Sequence, residues 1–116
     1  MSDNLKSYET ATESLADGAS MTVQLPVFEA RFVTTLVDDG SGGAPATHDL
    51  TWSQRPTNDG TSADGAWVPA TTETGTTKRW WLDEWPAPDY WRVELTNQSG
   101  GEATFRVRLV SHGGGE

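Results

Sequence analysis

Cysteine is absent from the 116 residues. That removes a disulfide framework, thiolate metal sites and a thiol nucleophile at once. Isoleucine is absent too, lysine occurs only at Lys6 and Lys78, and histidine only at His48 and His112. No apolar run approaches the ~20 residues of a membrane span. Met1-Ser2-Asp3-Asn4-Leu5-Lys6 lacks the apolar stretch of a signal peptide. The expectation is a chain made and kept in the cytoplasm, or one that leaves it inside a larger particle. Apolar residues make up 34% of the chain, so the core is thin, and six Trp compensate with large buried rings.

Positive charge is scarce. Seventeen acidic side chains face eight basic ones, a formal net charge of -9. Phosphate backbones need clustered cations, and anionic lipid needs a basic surface, so neither nucleic acid nor membrane is an expected partner. Acidic excess, few Lys and abundant Thr and Ala resemble the proteins of halophilic archaea, whose self-repulsion is screened by salt.

What is present is β pattern. Residues 1–9 are polar and read as a flexible arm, and Gly113-Gly114-Gly115-Glu116 as a flexible tail. Between them, 10–112 reads as one domain. From about residue 20, short period-2 segments alternate with Gly, Pro, Asn and Asp clusters. Met21, Val23 and Leu25 share a face. Phe28 to Val37 is the longest run, with Ala30, Phe32, Thr34 and Leu36 on one face. Asp38 to Gly43 is a loop, and Leu50 and Trp52 point inward from the next strand. Thr76 to Leu82 is expected as another strand. Trp91 to Leu95 and Phe105 to Leu109 alternate apolar and charged residues, and Asn97 to Glu102 reads as their hairpin loop. Arg92, Glu94, Arg106 and Arg108 would then share its outer face as Glu–Arg pairs. Seven or eight short strands with no helical period predict an all-β fold, a single antiparallel β-sandwich of jelly-roll type.

Chemistry is sparse. There is no G-x-S-x-G elbow, and His48 and His112 read as solvent-exposed loop residues. Asp83 and Glu84 are adjacent, so strand geometry sends them to opposite faces and they cannot flank one glycosidic bond. Asn58-Asp59-Gly60, Asp64-Gly65 and Asp38-Asp39 lack the ligand spacing of a calcium loop and suit turns for backbone reasons. No catalytic residue, cofactor or metal is expected, and the chain reads as a non-enzyme.

The anomaly is the aromatic stretch. Trp80, Trp81, Trp85, Tyr90 and Trp91 fall within twelve positions. Alternation puts Trp80 and Trp81 on opposite faces, so both cannot be core in a two-layer sandwich. Trp80, Trp81, Trp85 and Tyr90 are the candidate partner-binding residues, because exposed aromatics anchor interfaces. Trp81 and Trp85 could instead form a sugar-stacking platform, giving a carbohydrate-binding module for a host-surface glycan.

Three stretches together resemble a family. They are Leu50-Thr51-Trp52-Ser53 followed by Asp59-Gly60-Thr61; Tyr90 to Gly100; and Ala103 to Leu109. The pattern, over roughly residues 10–112, is similar to the small β-sandwich structural proteins of tailed viruses, which serve as capsid decorations, fibres and baseplate components. With the acidic composition, the resemblance implies a virus of a halophilic archaeon. It implies a virion protein, a capsid decoration or turret subunit or else a tail or baseplate component. Its expected partners are other virion proteins and copies of itself in a homo-oligomer.

Overall fold

A computed structural model describes residues 5–26, 32–55, 68–84 and 90–112. Eight strands run through them: β1 (Leu5–Leu15), β2 (Ser20–Pro26), β3 (Phe32–Asp38), β4 (His48–Arg55), β5 (Val68–Thr76), β6 (Trp80–Glu84), β7 (Tyr90–Asn97) and β8 (Ala103–His112). Among the described residues there is no helix. The strands form two antiparallel four-stranded sheets, ordered β1-β8-β3-β6 and β2-β7-β4-β5. The pairs β1–β8, β2–β7, β3–β6 and β4–β5 are those of one long hairpin. Wrapping it sets β8 beside β3 and β7 beside β4, which is the jelly roll. The all-β antiparallel sandwich expected from the sequence is thus what the chain forms.

Period-2 alternation builds the core. Met21, Val23 and Leu25 of β2, Leu50 and Trp52 of β4, and Trp91, Val93 and Leu95 of β7 face Val33, Val37, Trp81, Phe105, Val107 and Leu109 of the other sheet. Each large apolar side chain so buried contributes about 1.5–3 kcal/mol. The Trp52 indole N–H donates to Thr35 Oγ1 at 3.0 Å across the sandwich, so the buried ring leaves no stranded donor. The Trp81 ring meets Trp52 edge-on, with centroids 5.4 Å apart.

Several expectations are corrected. Residues 5–9 are not an arm, because β1 begins at Leu5 and pairs with β8 along its length. Residues 1–4 and 113–116 lie outside the described residues. Trp91–Leu95 and Phe105–Leu109 are not a hairpin, since β7 and β8 belong to different sheets. Arg92 and Glu94 therefore face away from Arg106 and Arg108, and the expected pairs cannot form. The segment between β7 and β8 instead crosses the sandwich. It is held by buried Asn97, whose Nδ2 donates to the Leu15 and Gly101 carbonyls, both at 2.8 Å. In β3, Val33, Thr35 and Val37 are the buried set, and Phe32, Thr34 and Leu36 lie on the outer face. Thr76 to Leu82 is not one strand, because the turn at 77–79 carries the chain from β5 in one sheet to β6 in the other.

Candidate functional site

The two outer faces differ. On the second sheet the outward rungs Ser20–Thr96–Asp49 and Thr22–Glu94–Thr51 are polar. On the first sheet, register sets Tyr8, Val110 and Thr34 in one rung, and Thr10, Arg108, Leu36 and Trp80 in the next. The exposed large hydrophobics among the described residues are Trp80 at 56% and Tyr8 at 52%, and both stand on this face at its opposite edge strands.

The third rung, Thr12–Arg106–Asp38, ends in a charge cluster. Asp38 is buried. Three donor nitrogens of the arginines reach it: Arg106 Nε, shared between both oxygens at 3.1 and 3.2 Å, Arg106 Nη2 at 2.8 Å and Arg108 Nη2 at 3.2 Å. The Gly40 N–H adds a fourth at 2.7 Å. Burial pushes the Asp38 carboxyl up, but the Arg106 hydrogen bonds, the Gly40 N–H and the charges of Arg106 and Arg108 outweigh it and hold it below 3.8. Gly40 itself has φ +95°, and a Cβ there would sit 3.1 Å from Thr104 Cγ2, so the turn that delivers its N–H requires glycine. Asp39 fixes the rest of this loop, accepting at Oδ1 from Ser41 N–H, Ser41 O–H and Gly43 N–H.

Beside this cluster a concavity of about 390 Å³ opens between the loop and the edge strand β6, lined by Leu36, Asp38, Gly42, Arg79, Trp80 and Arg108. Arg79 Nη2 donates to the Gly42 carbonyl, tying the β5–β6 turn to the loop after β3. The Arg79 carbonyl accepts from Val37 N–H at 2.8 Å, which extends the β3–β6 ladder and fixes Trp80 at the rim.

Of the aromatic candidates, only Trp80 is placed on this surface. Trp81, 8% exposed, belongs to the core and offers no platform. Alternation along β6 thus separates the pair as expected, with Trp80 as the outward member. Tyr90 opens β7 in the second sheet, opposite Pro26 and Arg55, so it does not join Trp80. Trp85 lies outside the described residues, as do Asn58, Asp59 and Asp64. Asp83 and Glu84 are consecutive positions of β6. His48 is not an exposed loop residue: it is fully buried, its Nδ1–H donates to the Ala46 carbonyl at 2.7 Å, and its ring packs edge-on to Phe105. Burial lowers its pKa, against the opposing Ala46 hydrogen bond and Asp49 charge. His112 Nε2 lies 3.2 Å from Thr34 Oγ1 at the end of β8.

Sequence reasoning missed Tyr8, Leu36, Asp38, Arg79 and Arg108 as site residues. One signal was available. Two arginines at alternate positions of one strand, Arg106 and Arg108, face the same side and call for an acid on the neighbouring strand.

No protein-family model matches the chain, and no curated protein sequence matches it. Its fold is shared with solved structures at low identity. The periplasmic inhibitor of g-type lysozyme from Aeromonas hydrophila, PliG, is 10% identical over 90% of this chain and 86% of its own, with a TM-score of 0.59. The Yersinia pseudotuberculosis-derived mitogen is 11% identical over 95% and 90%, with a TM-score of 0.57. The SPBc2 prophage-derived protein YomS is 11% identical over 91% and 96%, with a TM-score of 0.50. The chain is a small β-sandwich of the kind these proteins share, and one of them is prophage-derived.

Proposed function

We propose that this chain is a non-enzymatic virion structural protein, a capsid decoration or turret subunit that assembles with other virion proteins and with its own copies. A tail or baseplate position is the alternative. The observation that carries this reading is a contrast between the sheets: Tyr8, Leu36, Trp80 and Val110 lie on the outer face of one, and on the other the outward rungs Ser20–Thr96–Asp49 and Thr22–Glu94–Thr51 are polar. Exposed apolar surface backed by a rigid sheet marks an interaction face, and symmetric repetition multiplies weak contacts. The strand pattern resembling tailed-virus proteins and the acidic composition supply the setting: synthesis in the host cytoplasm, residence in the virion, and a halophilic archaeal host.

The test is assembly of the full chain. Wild type is expected as a defined homo-oligomer by sedimentation and to be incorporated into particles. The double substitution Tyr8→Ser and Trp80→Ser should give a monomer that no longer incorporates. Its melting temperature should move little, since exposed positions cost within about 0.5 kcal/mol. A wild-type chain that stays monomeric and never co-purifies with particles would sink the reading.

A second reading is a carbohydrate-binding module, and one observation favours it. An exposed indole stands at the rim of a concavity whose size, about 390 Å³, lies in the range of small-ligand sites. Trp80 takes the stacking role in it, in place of Trp81.

A further inference from the structure

We infer that the concavity at the corner of the first sheet is a site for a carboxylated pyranose, a uronic or sialic acid unit of a glycan, with Trp80 stacking on the ring and Arg79 and Arg108 receiving the carboxylate. This rests on the carbohydrate reading above and names its ligand.

Charge is the first support. Lys78, Arg79, Arg106 and Arg108 are half of the eight basic residues in a chain of net charge -9. Arg79 and Arg108 line the concavity and Arg106 stands beside it on Asp38, while Lys78 Nζ lies over the Trp81 ring, 5.5 Å from its centroid. Among the described residues, the acids acting on Arg106 are Asp38 and Asp39. Asp38 is taken up by Arg106 with two donors and by Arg108 with one. Asp39 is engaged by its own loop. The corner therefore keeps a positive surplus on an otherwise acidic molecule, and a low-dielectric concavity concentrates such a field.

Donor accounting is the second support. Arg106 is bidentate on Asp38, but Arg108 uses only Nη2 there, and Arg79 uses only Nη2 on Gly42. Among the described residues, Nη1 of each has no partner. Both side chains line the concavity; Arg108 Nε is buried without a partner, and its side chain as a whole is 33% exposed. Nη1 of each is a charged donor, and two such donors from neighbouring guanidinium groups favour a carboxylate.

Shape is the third. The indole is 56% exposed and offers a flat, electron-rich face to weakly polarised C–H groups. Leu36 floors the space between Trp80 and Arg108 as their cross-strand neighbour. A carboxylated pyranose presents a C–H face and a carboxylate on one rigid ring of the right size. An Asp or Glu side chain brings the carboxylate without the face, and an aromatic side chain brings the face without the carboxylate. The glycan unit satisfies both together and loses little freedom on binding.

The full-length chain should be titrated with digalacturonate and with 3′-sialyllactose, using lactose as the neutral control and a glutamate hexapeptide as the protein-like acid. Calorimetry and the indole N–H resonances read the binding. The expected result is at least tenfold tighter binding of one acidic sugar than of lactose or the peptide, lost in Trp80→Ala. Arg79→Gln, at an exposed turn, should cut that preference at least tenfold with the β circular dichroism spectrum retained, the lost Gly42 bond lowering the melting temperature by only a few degrees. Arg108→Gln should do the same where it folds, and Arg79→Gln decides the matter where it does not. Lactose binding as well as or better than the acids overturns the acidic ligand while leaving a carbohydrate site standing. Binding of no sugar overturns both. Equal binding of the glutamate peptide also overturns the proposal, assigning the corner to carboxylates of a protein.

Discussion

His48 shows how a single residue can hold the fold hostage to pH. It opens β4 with no exposed surface, and its Nε2 is buried without a partner among the described residues. Protonating that nitrogen would strand a charge in the core. The folded-state pKa is therefore below 6.5, with burial as the main cause. The sign follows. Above 6.5 both states are neutral at this position and stability is flat. As pH falls below 6.5 the unfolded chain takes up a proton that the folded chain refuses, and stability drops by up to about 1.4 kcal/mol per pH unit until the folded pKa is reached. Melting temperatures at pH 8, 7, 6 and 5 should fall in the last two steps, and His48→Gln should flatten that part of the curve. No difference in slope between the two proteins would refute the assignment. Asp38 acts lower on the scale. Its pKa is held below 3.8, so its pairs with Arg106 and Arg108 contribute at all pH values above the ordinary carboxylate range and are lost as pH falls through its folded pKa. Asp38 loses its pairs only below the ordinary carboxylate range, beneath the pH 5–8 span of the His48 test. None of this was visible in the sequence, where a His beside Asp49 after a Gly-rich loop carries no mark of burial.

Among the elements, β1 departs furthest from what the sequence suggested. Tyr8 to Ser14 is exposed apart from Ala11, which is half-buried, because β1 is an edge strand with little core beneath it. A strand that buries so little needs no apolar alternation, and so it leaves no period-2 trace to read. Its ladder is nonetheless long, from Leu5↔His112 to Leu15↔Ala103, with one irregularity near its start. Removing residues 2–9 would turn Leu109–His112 into an open edge. Such a truncation should lower the melting temperature and release amide protons of β8 to fast exchange. Unchanged protection along β8 would mean that the first half of β1 adds nothing. Strands that bury a full apolar face, β2, β4, β7 and β8, were legible as elements, and Met21, Val23, Leu25, Leu50 and Trp52 were legible as core. The pairing was not. Neighbours in sequence usually pair in space, yet this jelly roll sends almost every connection across the sandwich. Only β4 and β5 are successive strands of one sheet. Reading Asn97 to Glu102 as a hairpin followed the general tendency and failed against that topology. The aromatic site was half legible for a related reason. Period 2 separates Trp80 from Trp81, but only the sheet order says which neighbour, here Leu36 and then Arg108, stands beside the outward one.

The molecule as a whole is a slab, 41 × 36 × 19 Å, carrying a net charge of -9. At an ionic strength of 0.01 M the Debye length is about 30 Å, longer than the slab is thick, so carboxylates on both faces repel one another through the fold. At 1 M it shrinks to about 3 Å, and only groups in contact still interact. The unfolded chain spreads the same charges further apart, so screening relieves the folded state more. The Asp38–Arg106 pair, at 2.8 Å and with Asp38 buried, survives because its partners touch. Adding potassium chloride from dilute buffer to molar concentration should therefore raise the melting temperature, with most of the rise complete once the Debye length falls below the slab's thickness. Replacing two exposed acids on the edge strand, Glu9→Lys and Glu13→Lys, lowers the net negative charge without touching the core. That variant should melt higher than wild type in dilute buffer, rise less with salt, and converge with it near 1 M. Parallel curves for the two proteins would show that the salt effect comes from strengthened apolar burial, which acts whatever the surface charge. A flat or falling curve for wild type would remove the physical basis for a chain adapted to high salt.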